Sequence, residues 1–229
     1  MNLIKKIKIL YKLFDKIYKS KNLILKKISL ANITSSTNIK IFETVDFKGG
    51  LTLEELSVII SISKKYECKN YLEIGSFRGR TAINIAANNK DTYIHTIDLP
   101  QSFEDKDLKF KLLDNDTVQA KHEGRNYFFE KYQDYNKKIT NHYGDSATFD
   151  YDIFNHKFDL IFIDGSHKYE NVLIDSDNAF KNLSKKGIII WHDYTIQNLD
   201  VVKAINHIIK KYKIKIYSIK NTRFAFYQS

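Results

Sequence analysis

The sequence contains one cysteine, one proline and eight glycines in 229 residues. The lone cysteine, Cys68, excludes an internal disulfide and any zinc site built from cysteines. It fits a reducing compartment, and its position just before a strand-like run reads as a small buried hydrophobe. So little proline and glycine excludes a flexible linker rich in either, and no low-complexity tract or internal repeat is present. No segment approaches the roughly 20 apolar residues of a membrane span. At the N-terminus, lysines break every apolar run before it reaches the roughly 7 to 15 residues of a secretory signal. What is left is a chain of ordinary 43% hydrophobic content, long enough for one domain with an extension. These features point to the cytoplasm.

The net charge of +10 is concentrated. Residues 1 to 30 hold nine lysines against one acid, Asp15, and so carry +8 of it. The remainder is close to neutral, which disfavours nucleic acid as a partner. Leu3, Ile7, Leu10, Phe14 and Ile17 recur at three- and four-residue intervals, the pattern of an amphipathic helix. Two uses of such a helix stay open. It could pack on the domain or on a second copy of the chain, or it could lie on the anionic inner face of a membrane.

Residues 31 to 50 are polar and aperiodic and read as a connection, so the expected division is an extension over 1–50 and a domain over 51–229. Thr52 followed by Glu55 forms a capping-box pattern that predicts a helix start. Short apolar runs then alternate with helical patterns: NYLEIG, TYIHTID, KITNHYGD, FDLIFIDG and GIIIWHD, with IKIYSI and RFAFYQ at the end. LIFI and GIII are apolar throughout, as in strands covered on both faces. The alternation predicts an α/β fold with a doubly wound, mostly parallel sheet. Ligands of such sheets sit beyond the carboxyl ends of the strands, where Asp164 and Asp193 fall. The polar insertion between Leu99 and Lys138 follows a strand on that side. It reads either as a lid or substrate wall, or as a surface excursion.

In EIGSFRGRT, Gly75 permits a tight turn and Gly79 lets the next helix begin against the sheet. The spacing is neither the dinucleotide fingerprint nor a phosphate loop, which disfavours a nicotinamide enzyme. Asp98 closes the next strand, 23 residues after Gly75, where an acid would accept from ribose hydroxyls. A surface helix cap is the alternative. In FDLIFIDGSHKYE, His167 follows Asp164 by three residues, so both can face one cavity; a histidine capping the next helix is the plainer reading. Trp191 reads as core. Tyr169 and Tyr194 are expected to pack rather than react, and Glu170, Asp175 and Asp177 to form a solvated helix face.

LEIGSFRGRT, TIDLP, ITNHYGDSATFD, FDLIFIDGSHKYENVLIDSDNAF and IIIWHDY, in this order, resemble the class I S-adenosylmethionine-dependent methyltransferases. The nearest branch is that of macrocin-type sugar O-methyltransferases and cephalosporin-hydroxylase-like proteins. The resemblance runs from about Thr52 to Tyr227. It implies a Rossmann-like sheet of seven strands with the last antiparallel, S-adenosyl-L-methionine as cofactor, and methyl transfer to a hydroxyl of a sugar, glycan or related small molecule. Carried over by motif, Glu73, Gly75, Ser76 and Gly79 would line the methionine part of the cofactor, Asp98 its ribose, and Asp145 and Ser146 its adenine.

The resemblance also implies a divalent metal, magnesium or manganese, on Asp164 and on the pair after the next strand, here His192-Asp193. His167 is the implied base, with His192 as a second base, a ligand or an orienter of Asp193. The branch has two acids where this chain has His192-Asp193, and imidazole suits magnesium less well than oxygen does. The rival reading is a non-catalytic module of the same fold, attached to a membrane or partner through residues 1–30.

Overall fold

The computed structural model describes residues 23–34 and 38–229, and the amphipathic pattern over residues 3 to 17 lies outside them. Eight strands are present among the described residues: β1 (Lys26–Ile28), β2 (Asn70–Ile74), β3 (Tyr93–Asp98), β4 (Ile139–Tyr143), β5 (Phe158–Ile163), β6 (Leu183–Trp191), β7 (Tyr217–Ile219) and β8 (Ala225–Gln228). They form one sheet in the order β1-β7-β8-β6-β5-β2-β3-β4. Only β8 runs antiparallel, pairing with β6 and β7. Seven helices accompany them: α1 (Leu53–Lys65), α2 (Arg80–Asn88), α3 (Asp114–Ala120), α4 (Tyr127–Lys131), α5 (Gln133–Asn136), α6 (Tyr169–Asn182) and α7 (Leu199–Tyr212). None is long and apolar enough to cross a membrane.

The continuous apolar runs are explained by residue parity, since successive strand residues face opposite sides of the sheet. Leu160, Phe162, Ile188 and Ile190 join one core with α1 and α2. Ile161, Ile163, Ile189 and Trp191 join the other, with α6 and α7. Both parities must therefore be apolar, each fully buried side chain contributing on the order of 1.5–3 kcal/mol. Trp191 is core as expected, its indole Nε1 donating to Ser176 Oγ at 2.8 Å. Cys68 is buried before β2. The capping box also forms: Glu55 N donates to Thr52 Oγ1 at 3.2 Å, and Thr52 N to Glu55 Oε2 at 2.9 Å.

The sheet has one strand more than the expected seven. Lys26, Lys27 and Ile28 pair in parallel with Tyr217, Ser218 and Ile219 at the outer edge. Three residues are too few for a period to register in a lysine-rich stretch, and edge strands favour lysine. The helix face also differs from expectation at one position. Asp175 on α6 is not solvated but 1% exposed, and burial pushes its carboxyl up to about 7.

The architecture brings three strand ends together. In the parallel register Ile74 lies beside Ile163, and Ile163 beside Trp191. The next residues, Gly75, Asp164 and His192, therefore emerge side by side. From β2 the chain winds outward through β3 and β4, then returns to β5 on the other flank of β2. That reversal opens a crevice at the carboxyl ends of β2 and β5.

Candidate active site

Gly75 makes the crevice possible. Its φ of +86° lies in the left-handed region, and a Cβ there would stand 2.2 Å from the carbonyl oxygen of Asp164. Only a residue without a side chain lets the two strand ends approach so closely. Gly79, φ +82°, serves the turn differently: a Cβ would meet the Phe129 ring at 2.6 Å. It packs against α4 and caps α2. Of the cofactor residues expected in this loop, Glu73, Gly75 and Ser76 border a cavity, whereas Gly79 supports the loop from behind.

A continuous charged network lines that cavity. His192 is buried; its Nδ1 donates to Asp164 Oδ1 at 2.6 Å, and its Nε2 faces Glu55 Oε2 at 3.4 Å. Burial disfavours its charged form, but these carboxylates outweigh burial and raise it to about 10. Burial raises Asp164, with the charge of His192 partly offsetting it. Asp193 adopts φ +55°, a conformation that aspartate tolerates better than most side chains. Its Oδ2 accepts from His167 Nε2 at 2.6 Å and its Oδ1 from Arg223 Nη1 at 3.0 Å. Against the effect of burial, the hydrogen bond from His167 and the nearby cations hold Asp193 down at about 2.

His167 is held at both nitrogens. Nδ1 donates to Asp116 Oδ1 at 2.7 Å and Nε2 to Asp193 Oδ2 at 2.6 Å. Burial opposes its charge, yet these two bonds raise it to about 10. Asp116 has no motif around it and could not be found by sequence reading. Glu55 was read only as a helix cap, and Arg223 only as part of a terminal strand. Their ion pair, 2.7 Å between Arg223 Nη2 and Glu55 Oε2, braces the far side of His192.

The expected cofactor acids sit at the next strand ends. Asp98 accepts from Phe77 N at 2.8 Å, Ser76 Oγ at 3.2 Å and Leu99 N at 2.8 Å. Arg125 Nη2 pairs with it at 2.9 Å. Asp145 accepts from Lys109 N at 2.8 Å and Ala147 N at 3.0 Å. Asp98, Asp145 and Ser146 border a first cavity, closed by the apolar side chains of Leu99, Leu108 and Leu112. A second cavity of about 570 Å³ holds Asp164, His167, His192 and Asp193. Gly75, Phe77, Asp116, Gln119 and Asp164 border both cavities, so the two adjoin. The 99–138 insertion is thus a wall of both, and the connection at Phe47–Leu51 walls the second. Neither Tyr169, bonded to His207 Nδ1 at 2.9 Å, nor the buried Tyr194 borders either cavity.

Glu73 at the end of β2 is buried and accepts from Tyr71 Oη at 2.9 Å. Burial, reinforced by the Asp164 and Asp98 charges, holds its carboxyl well above the usual range. Asp164, His192 and Asp193 each present a ligand atom, all within 4.8 Å of one another. Two carboxylate oxygens and an imidazole nitrogen fit a divalent cation, and this mixed set suits manganese, iron or zinc better than magnesium. A cation there would take the place of the His192 proton.

Residues 72–194 match the Methyltransf_24 family model, described as a methyltransferase domain. No curated protein matches the chain. Among solved structures, the O-methyltransferase of Bacillus cereus in complex with SAH is 16% identical, with 78% of this chain and 81% of that one covered and a TM-score of 0.56. The SAH-bound methyltransferase PaMTH1 of Podospora anserina is 15% identical over 78% of each chain, with a TM-score of 0.57. The O-methyltransferase TomG of Streptomyces achromogenes, in complex with SAM, is 13% identical over 77% of this chain and 79% of that one, with a TM-score of 0.54. At such identities the likeness is one of fold. The family model, however, spans more than half of the sequence, and the chain therefore belongs to the methyltransferase-domain family.

Proposed function

We propose that the chain is an S-adenosylmethionine-dependent O-methyltransferase whose acceptor is a hydroxyl of a sugar, glycan or related small molecule. The observation that carries this reading is the pair of adjoining cavities, one bordered by Asp98, Asp145 and Ser146 and the other by Asp164, His167 and Asp193. Asp98 would accept from the ribose hydroxyls, the leucines around it would cover the purine, and Asp145 and Ser146 would meet the purine edge. Glu73, whose buried carboxyl is held well above the usual range, would face the cofactor's ammonium group, which favours its charged form. When bound, S-adenosylmethionine supplies a methyl group on a sulfonium centre.

The chain's own part is to orient the acceptor and remove its proton. Holding a reactant in place removes several kcal/mol from a barrier, and general base catalysis adds roughly 10²- to 10⁴-fold. Asn115, Gln119, His122 and Asn198 along the second cavity offer hydrogen bonds of the kind a polyol needs. His167 is the base in this reading: Nδ1 stays on Asp116, and Nε2 would leave Asp193 to take the acceptor's proton. Asp164, His192 and Asp193 would hold a divalent cation, which would polarise the acceptor hydroxyl.

The test is incubation with labelled S-adenosylmethionine and a metabolite or cell-envelope extract, with and without chelator. Wild type should label a hydroxylated product, and Asp164→Ala and His167→Ala should lose that labelling. A protein that binds neither S-adenosylmethionine nor S-adenosylhomocysteine near millimolar concentration would be a non-catalytic module of this fold.

A further inference from the structure

We propose that Asp116 is a positioning residue that couples the wall of the cofactor cavity to the catalytic centre, an inference that rests on the assignment of the two cavities above. Asp116 lies on α3, within the 99–138 insertion, and its side chain is 9% exposed. Three donors from the turn after β5 converge on its carboxylate. His167 Nδ1 donates to Oδ1 at 2.7 Å, and His167 N and Ser166 Oγ donate to Oδ2 at 2.8 and 3.0 Å. These partners lie about 50 residues further along the chain.

A seven-residue helix such as α3 has little stability of its own. Its flanks are tied to the sheet elsewhere, Lys109 N to Asp145 and Arg125 to Asp98. Asp116 ties the helix itself. Leu112 and Ala120 face the first cavity, Asn115 and Val118 the second, which also holds Glu73 and Ser76, and Asp116 and Gln119 border both. One carboxylate thus sets two things at once. It holds α3 as the partition between the cavities, and it fixes the His167 ring by Nδ1 so that Nε2 meets Asp193 at 2.6 Å. Asparagine at 116 can still accept from Nδ1. Its amide nitrogen cannot accept from His167 N, so that bond is lost, and the Ser166 hydroxyl must turn from donor to acceptor.

The experiment compares Asp116→Asn with Asp114→Asn, which removes the same charge from an exposed position on the same helix. Three quantities are read: the dissociation rate of S-adenosylhomocysteine, hydrogen exchange of the α3 amides, and the ¹⁵N signals of the His167 ring. Asp116→Asn should release S-adenosylhomocysteine roughly tenfold faster, lose α3 protection and shift the ring signals, while Asp114→Asn matches wild type. The inference is overturned if Asp116→Asn behaves as wild type, or if Asp114→Asn reproduces its effects. Failure of wild type to bind S-adenosylhomocysteine would instead overturn the proposed function, and the exchange and ring signals would still decide the role of Asp116.

Discussion

Glu55 and Arg223, 168 positions apart in the chain, are joined by two side-chain bonds, Nε to Oε1 at 2.9 Å and Nη2 to Oε2 at 2.7 Å. Glu55 also accepts from Thr52 N and faces His192, so the start of α1, the turn before β8 and the end of β6 meet at one carboxylate. Replacing Arg223 by methionine leaves that buried carboxylate without the guanidinium that bonds both its oxygens. The expected loss is about 3 kcal/mol, the low end for such a pair because Arg223 is partly exposed. Urea denaturation measures it, and Glu55→Gln with Arg223→Met should cost less than the sum of the two single changes.

Gly75→Ala should cost at least about 3 kcal/mol, because the new Cβ meets backbone rather than a side chain that can turn away. Gly165→Ala is the comparison. Its Cβ would find no atom closer than 3.5 Å, and a change within about 1 kcal/mol is expected. Equal denaturation midpoints for the two variants would contradict the close approach of β2 and β5.

If His167 is the base, the rate should climb with pH. The ring accepts a proton only when neutral, and with no cation on Asp193 the carboxylates on either side keep it charged until about 10. Turnover should therefore rise from neutral pH toward 10 and lose that slope in His167→Gln. A wild-type profile that is flat from pH 7 to 9 would remove His167 from this role.

A second pair of histidines should control stability in acid. His95 Nδ1 lies 3.1 Å from His142 Nε2 on the outer strands β3 and β4. Burial, with the charges of His142 and His156 adding to it, lowers His95 from its ordinary 6.5 to about 4. Burial lowers His142 too. The unfolded chain takes up a proton near pH 6.5 that the folded chain refuses. The stabilisation is thus complete above 6.5 and lost as pH falls toward 4. Between pH 7 and 4.5 the urea stability of wild type should drop more than that of His95→Leu, by on the order of 1 kcal/mol once solvent screening of the partly exposed ring is allowed for. Parallel curves would exclude the pair as the cause.

The parts of the site that were legible in the sequence are those generated by strand ends. An apolar run that stops at Gly75, Asp98, Asp164 or His192 announces a carboxyl terminus in a two-sided sheet, and parallel pairing puts neighbouring termini together. The partners that arrive from elsewhere were not legible. Asp116 sits in a polar insertion where one more acid carries no signal, and Arg223 lies in a short turn between two ordinary strands. Glu55 was visible as a cap, and that local duty hid its long-range one. Asp175 does not share the surface of Glu170 and Asp177, because a helix turns by 100° per residue and can bury one acid while leaving others at the surface.

The three-residue strand β1 has a practical meaning for trimming the chain. By charge alone the first thirty residues look detachable, yet Lys26–Ile28 cover the outer backbone of β7. A version shortened to start at residue 31 would leave that ribbon bare, inviting other chains to stack onto it and come out of solution. A shortened version therefore has to retain Lys26–Ile28.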